Sequence, residues 1–149
     1  QFIGEYATPV KDMYEPYVRP QENNHRTDIY WCALTDKTQR GLLLIADRTF
    51  ELNTSNYPLE SMDSGDTIDN SAPRTEKTHH RHLTDPLPEK MVDLFIDYRM
   101  MGVGGDDSWG ATAHEPYLIR PGKENAIEYG FSLVPFDKKE DYKYLIRQY

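Results

Sequence analysis

The stretch Thr27-Asp28-Ile29-Tyr30-Trp31-Cys32-Ala33-Leu34-Thr35-Asp36, a polar turn through Lys37 to Gly41, and then Leu42-Leu43-Leu44-Ile45-Ala46-Asp47 sets the fold class of this chain. Its first run is rich in aromatic and β-branched residues, which suit a pleated surface. Its second run is continuously apolar over a strand's length, the pattern of a returning strand buried on both faces. Further along, Phe50-Glu51-Leu52-Asn53 alternates as a half-exposed strand should. Residues 91–100 alternate too, with Val92, Leu94, Ile96 and Tyr98 on one face and Asp93 and Asp97 opposite. Residues 127–134 repeat the pattern. Ten prolines and several Asn/Asp/Gly turns punctuate these runs, so the expected class is all-β, an antiparallel β-sandwich.

Two segments depart from that pattern. Residues 59–69 are polar, and a surface loop with one helical turn is expected there. The tail, residues 137–149, has an N-cap candidate in Asp137, acids early (Glu140, Asp141) and Lys143 and Arg147 later. That order complements a helix dipole and predicts a short C-terminal helix.

Composition narrows the function classes. A length of 149 residues fits one domain or part of one. The net charge of −8 comes from interspersed acids and bases, which argues against nucleic acid as a partner, since that calls for a basic stripe. No apolar run approaches the roughly 20 residues of a bilayer-spanning helix, so no membrane partner is expected. Cys32 stands alone, which leaves no internal disulfide and gives no reading of compartment. No signal peptide is visible, but the chain opens on Gln1 and reads as an excerpt, so localisation stays open.

The candidate functional segment is Gly102-Val103-Gly104-Gly105-Asp106-Asp107-Ser108-Trp109-Gly110. Its glycines allow close backbone approach and positive φ. Asp106, Asp107 and Ser108 can tie down nearby backbone N–H groups, making Gly104, Gly105, Asp106, Asp107 and Ser108 loop-supporting candidates. Trp109, one of two tryptophans, either caps the core, as most indoles do, or offers a flat apolar face to a ligand such as a sugar. The residue types alone leave both open.

Three ordered motifs bear on that choice. Asp12-Met13-Tyr14-Glu15-Pro16-Tyr17-Val18-Arg19-Pro20-Gln21-Glu22-Asn23 comes first, His80-Arg81-His82-Leu83 second, and Met101 through the Gly102–Gly110 segment third. In order and spacing they resemble the C-terminal part of the large β-galactosidases of glycoside hydrolase family 2, the lacZ type. Asn24 stands where many of those proteins have glycine, and asparagine tolerates the left-handed conformation better than most residues.

The resemblance implies a good deal. The sandwich would be the later half of a galactose-mutarotase-like supersandwich, with residues 1–136 its partial C-terminal domain and 137–149 a tail beyond the family pattern. A half-sandwich leaves strand edges and an apolar face uncovered, so the excerpt is expected to self-pair or to be marginally stable alone. In the family, two glutamates of a central barrel perform retaining hydrolysis of β-galactosides such as lactose, and the tryptophan of the third motif stacks on the leaving-group sugar. By motif match Trp109 takes that role. No catalytic residue is expected here, and the isolated chain should be inactive.

The parent's magnesium and sodium ions would be bound outside this stretch, and no cofactor is expected within it. The implied partners are the rest of the parent chain and a β-galactoside, with the parent a homo-oligomer. Adjacent Asp106 and Asp107 point to opposite faces of an extended segment and make a poor facing pair for retaining glycoside hydrolysis, which needs carboxyl groups about 5 Å apart. His80 and His82 lack the third and fourth ligands of a zinc site, so no metal is assigned and a hydrogen-bonded contact is preferred. Arg19, Glu22 and Asn23 read as a buried polar brace rather than a sugar site. Two further readings stay in view: a free-standing carbohydrate-binding sandwich using Trp31, Trp109 and tyrosines, and a purely structural oligomerisation module.

Overall fold

The computed structural model describes residues 2–18, 21–62, 86–107 and 109–149. The fold is mostly antiparallel sheet: β1 (Arg26–Thr35), β2 (Gly41–Ser55), β3 (Asp93–Asp97) and β4 (Phe131–Phe136), with short helices α1 (Leu59–Met62) and α2 (Tyr142–Ile146). In the sheet the order is β1-β2-β3, and β4 also pairs with β2. This is the architecture of an all-β sandwich fragment. The chain divides into two compact units, one of residues 1–25 and 53–95, the other of 26–52 and 96–149.

β1 and β2 form a hairpin in which Trp31 faces Ile45 and Thr35 faces Gly41. The turn is fixed by Asp36, whose Oδ1 accepts from the Thr38 amide (2.7 Å), the Thr38 hydroxyl (2.6 Å) and the Arg40 amide (3.1 Å). Those bonds, led by the one from the Thr38 hydroxyl, hold the Asp36 carboxyl below its ordinary pKa. On the other edge β4 runs antiparallel to β2, Leu43 opposite Val134 and Leu44 opposite Leu133. Leu43 and Leu44 are both fully buried. Neighbouring strand residues point to opposite faces, so the apolar run is covered on both sides, as its composition predicts.

Three of the expected strands need correction. Phe50–Asn53 is strand but not half-exposed; it continues β2, and Phe50, Glu51, Leu52 and Asn53 are all buried. Its polar members tolerate burial because each finds a partner: the Glu51 carboxylate accepts from the Met100 amide (2.6 Å), and Asn53 donates to Glu22 (3.1 Å). β3 is shorter than the alternating run 91–100, and its five residues are all half-buried, so the two faces differ little. β4 starts at Phe131 and runs through Pro135. A proline is accepted there because, among the described strands, β4 pairs only with β2, leaving an edge without a ladder partner.

The tail is helical, but its cap is Asp141 rather than Asp137. Asp141 Oδ1 accepts from the Lys143 amide at 2.9 Å, whereas Asp137 closes the preceding turn by accepting from the Lys139 amide at 2.7 Å. α2 lays Tyr142, Leu145 and Ile146 against the core of Leu43, Ile45 and Phe136, with Trp31, Ala33 and Val134 beside them. The helical turn expected in 59–69 is α1; residues 63–69 lie outside the described residues.

Candidate functional site: a braced loop presenting Trp109

Residues 102–110 leave β3 and are tied at their entry to the sheet and to a returning segment. The Met100 amide donates to the buried Glu51 carboxylate, and the Gly102 amide donates to the Tyr117 carbonyl at 2.8 Å. Ahead of the loop an aromatic row stiffens the support. Tyr98 packs on Tyr129, Tyr129 on Phe131 and Phe131 on Phe50, with ring centroids 5.9, 6.2 and 6.3 Å apart. Tyr129 also donates its hydroxyl to the Ile96 carbonyl (3.1 Å).

Within the loop Gly104 has φ +78°, a conformation that side-chain-bearing residues rarely adopt. Gly105 is needed for a different reason. A Cβ there would run into the Thr112 carbonyl oxygen and lie 2.8 Å from the Ala111 Cβ, so only glycine lets the returning segment of the loop pass.

The two aspartates bond in different directions. Asp107 Oδ1 accepts from the Trp109 amide (2.8 Å) and, more weakly, from the Ala111 amide (3.3 Å), which closes the backbone around the indole. Asp106 Oδ1 lies 3.0 Å from His114 Nε2 and clasps the loop to the returning segment. Beyond it a 3-10 turn at Glu115–Tyr117 is followed by Arg120, which bonds Glu115 at 2.8 and 3.2 Å. Ser108 lies outside the described residues. The product of this bracing is an indole 93% exposed, and Val103 earlier in the same loop is 90% exposed.

The other indole is placed differently. Trp31 packs against the core cluster and on Tyr142, ring centroids 5.7 Å apart. Glu22 and Asn23 do brace, but not as buried groups, since Glu22 is exposed and Asn23 half-buried: Glu22 accepts from Asn53, and the Asn23 amide both accepts from the Glu15 amide (3.2 Å) and donates to the Glu15 carbonyl (2.7 Å). Asn24 takes φ +66°, the left-handed conformation asparagine accommodates. Arg19 and the 79–82 histidine run lie outside the described residues. Among the described residues no three His, Cys, Asp or Glu side chains gather as a metal site would require.

Two loop-positioning residues escape a reading of the sequence. Glu51 sits in an alternating run that points it to solvent, whereas in the fold it is buried and its carboxylate accepts from the Met100 amide. His114 is eight residues from its partner Asp106, a spacing with no local periodicity behind it.

A family model described as "Beta galactosidase small chain" matches residues 1–133. The chain belongs to the β-galactosidase small-chain family. It is similar to the β-galactosidase of Priestia megaterium, 33% identical over 110 residues, covering 74% of this chain and 9% of that protein. It is also similar to those of Leuconostoc mesenteroides, 30% identical over 129 residues (87% of this chain, 10% of that protein), and Staphylococcus xylosus, 28% over 132 residues (89% and 11%). The small-chain sequence thus spans about a tenth of the length of these relatives. The family match ends within β4, so α2 lies beyond it.

Proposed function

We propose that this small-chain segment lends Trp109 to the active site of a retaining β-galactosidase, where the indole stacks on the aglycone sugar of substrates such as lactose. The observation that carries the reading is a fully presented indole on a loop that spends two aspartates and two special glycines on holding it there. An unbraced indole of that exposure would be a poor platform, because ordering it on binding would cost much of the stacking energy. The loop has met that cost in the folded chain. A sugar ring offers its axial C–H face to the indole, and the contact is apolar and directional.

The bonding of the loop carboxylates supports a holding role rather than catalysis. Asp107 is occupied by backbone amides and Asp106 by His114, so neither faces a substrate as an acid and nucleophile pair must. On this reading the catalytic carboxylates, and the parent's magnesium and sodium ions, belong to the remainder of the chain, the parent is a homo-oligomer, and the small-chain segment alone is inactive. A free-standing sugar-binding module is the weaker alternative, since packing of Trp31 in the core leaves one exposed indole, and one stacking contact gives little affinity.

The test is hydrolysis of lactose and of an aryl galactoside by the full-length protein, wild type against Trp109→Ala. Loss of the platform is expected to cost about 1 kcal/mol, near fivefold in kcat/KM, where the aglycone depends on it. Inhibition by galactose should stay as in wild type. Unchanged kinetics on both substrates would make the segment scaffold only. Detectable sugar binding by the isolated segment would favour the free-standing module.

A further inference from the structure

The first motif of the sequence has no part in the Trp109 loop, yet its Met13, Tyr14, Glu22 and Asn23 wall a small, partly open space with the end of β2. Met13, Met62 and Phe95 supply its apolar wall, and Tyr14, Glu22 and Asn53 its polar one. The volume is about 10 Å³ in a measure where a single water needs roughly 10–15 Å³. Nothing larger than water fits.

Two buried polar atoms at this space have no partner: the Tyr14 hydroxyl and Asn53 Oδ1. Asn53 is 1% exposed, so bulk water does not reach it. Its amide orientation is fixed by chemistry, because Nδ2 donates to the Glu22 carboxylate at 3.1 Å. A flipped amide would set Oδ1 against a carboxylate oxygen, acceptor on acceptor. The orphan is therefore the carbonyl oxygen, which needs a donor. Leaving a buried acceptor unmet is more costly than a hydrogen bond is favourable. Tyr14 is held in place by its stack on Tyr57, ring centroids 4.2 Å apart. Burial, and after it the Tyr57 phenol, push its pKa up, so the hydroxyl keeps its proton as a donor.

We propose that this cavity is a binding site for one structural water, which donates to Asn53 Oδ1 and accepts from the Tyr14 hydroxyl. Its second hydrogen is left for the Glu22 carboxylate at the same wall. The water thereby completes the brace that fastens the 12–23 motif to β2, and the motif's Tyr14 and Glu22 are the side chains that select for it. An apolar cavity of this size would stay dry; a polar one with two unmet groups does not.

The test is a crystal structure of the full-length protein at a resolution that shows ordered water, for wild type and Tyr14→Phe. Wild type should show one density peak about 2.7–3.2 Å from both Asn53 Oδ1 and the Tyr14 oxygen. Tyr14→Phe keeps the ring and its stack, so the protein folds as before, and the peak should lose occupancy while the Asn53–Glu22 bond persists. An empty cavity, or a protein atom seated on Asn53 Oδ1, overturns the proposal. So does an all-oxygen shell at about 2.3–2.6 Å, which would mean a cation. A peak unchanged by Tyr14→Phe removes Tyr14 from the site and overturns the bridge.

Discussion

If Asp107 serves Trp109 by holding its backbone, removing the carboxylate should act through the indole and nowhere else. Asp107→Ala deletes the acceptor for the Trp109 amide at 2.8 Å and for the Ala111 amide at 3.3 Å. The second bond is long, so the loss amounts to about one good hydrogen bond at an exposed site, on the order of 1 kcal/mol. That shifts the ratio of held to unheld loop about fivefold. If the held loop is favoured about ten to one, its population falls to roughly two-thirds; if the two are balanced, it falls about threefold.

The kinetic loss for a stacked aglycone must therefore lie below the roughly fivefold set by Trp109→Ala itself. Asp107→Asn keeps an amide oxygen in place and should recover most of the activity. In the Trp109→Ala background Asp107→Ala should do nothing further, because two residues acting as one unit are non-additive. Stability should move by less than about 1 kcal/mol, because the loop can let go without the domain unfolding. The assay is kcat/KM on lactose for the four proteins of the cycle. Losses that multiply, or an Asp107→Ala loss larger than that of Trp109→Ala, would refute the holding role.

Other expectations concern the scaffold. Leu43→Ala removes a fully buried side chain from the core shared with α2 and should cost about 2–5 kcal/mol, read as a lower urea midpoint. Ending the chain after Phe136 uncovers Leu43, Ile45 and Phe136 and should raise binding of an apolar dye; unchanged binding would show that α2 covers nothing. Asp36 has a lowered folded pKa, so its stabilising share is present above the unfolded value near 3.8 and is lost as pH falls through the folded one. The stability gap between wild type and Asp36→Ala should accordingly close in acid, and a gap constant down to strong acid would count against the turn's dependence on that carboxylate.

Periodicity carried the class of the fold, and residue order carried the family. Thr27–Asp36 and Gly41–Asp47 could hardly be anything but strands, because β-branched and aromatic runs of that length bounded by a polar turn satisfy their backbone only by pairing. The third motif likewise announced a tight loop with an indole at its tip, since the glycines and aspartates that such a loop needs are local requirements.

What the sequence could not settle depends on partners distant along the chain. Glu51 and Asn53 alternate like solvent-facing residues, and the fold buries them and brings Met100 and Glu22 to them as partners. Whether Trp31 or Trp109 was the exposed indole was likewise undecided by residue type. The core of Leu43, Ile45 and Phe136 with Tyr142 of α2 covers the first, while Asp107 and the returning segment at Thr112 hold the second out. Local chemistry fixes which backbone shapes are allowed; burial, which decides what a side chain is free to touch, belongs to the folded whole.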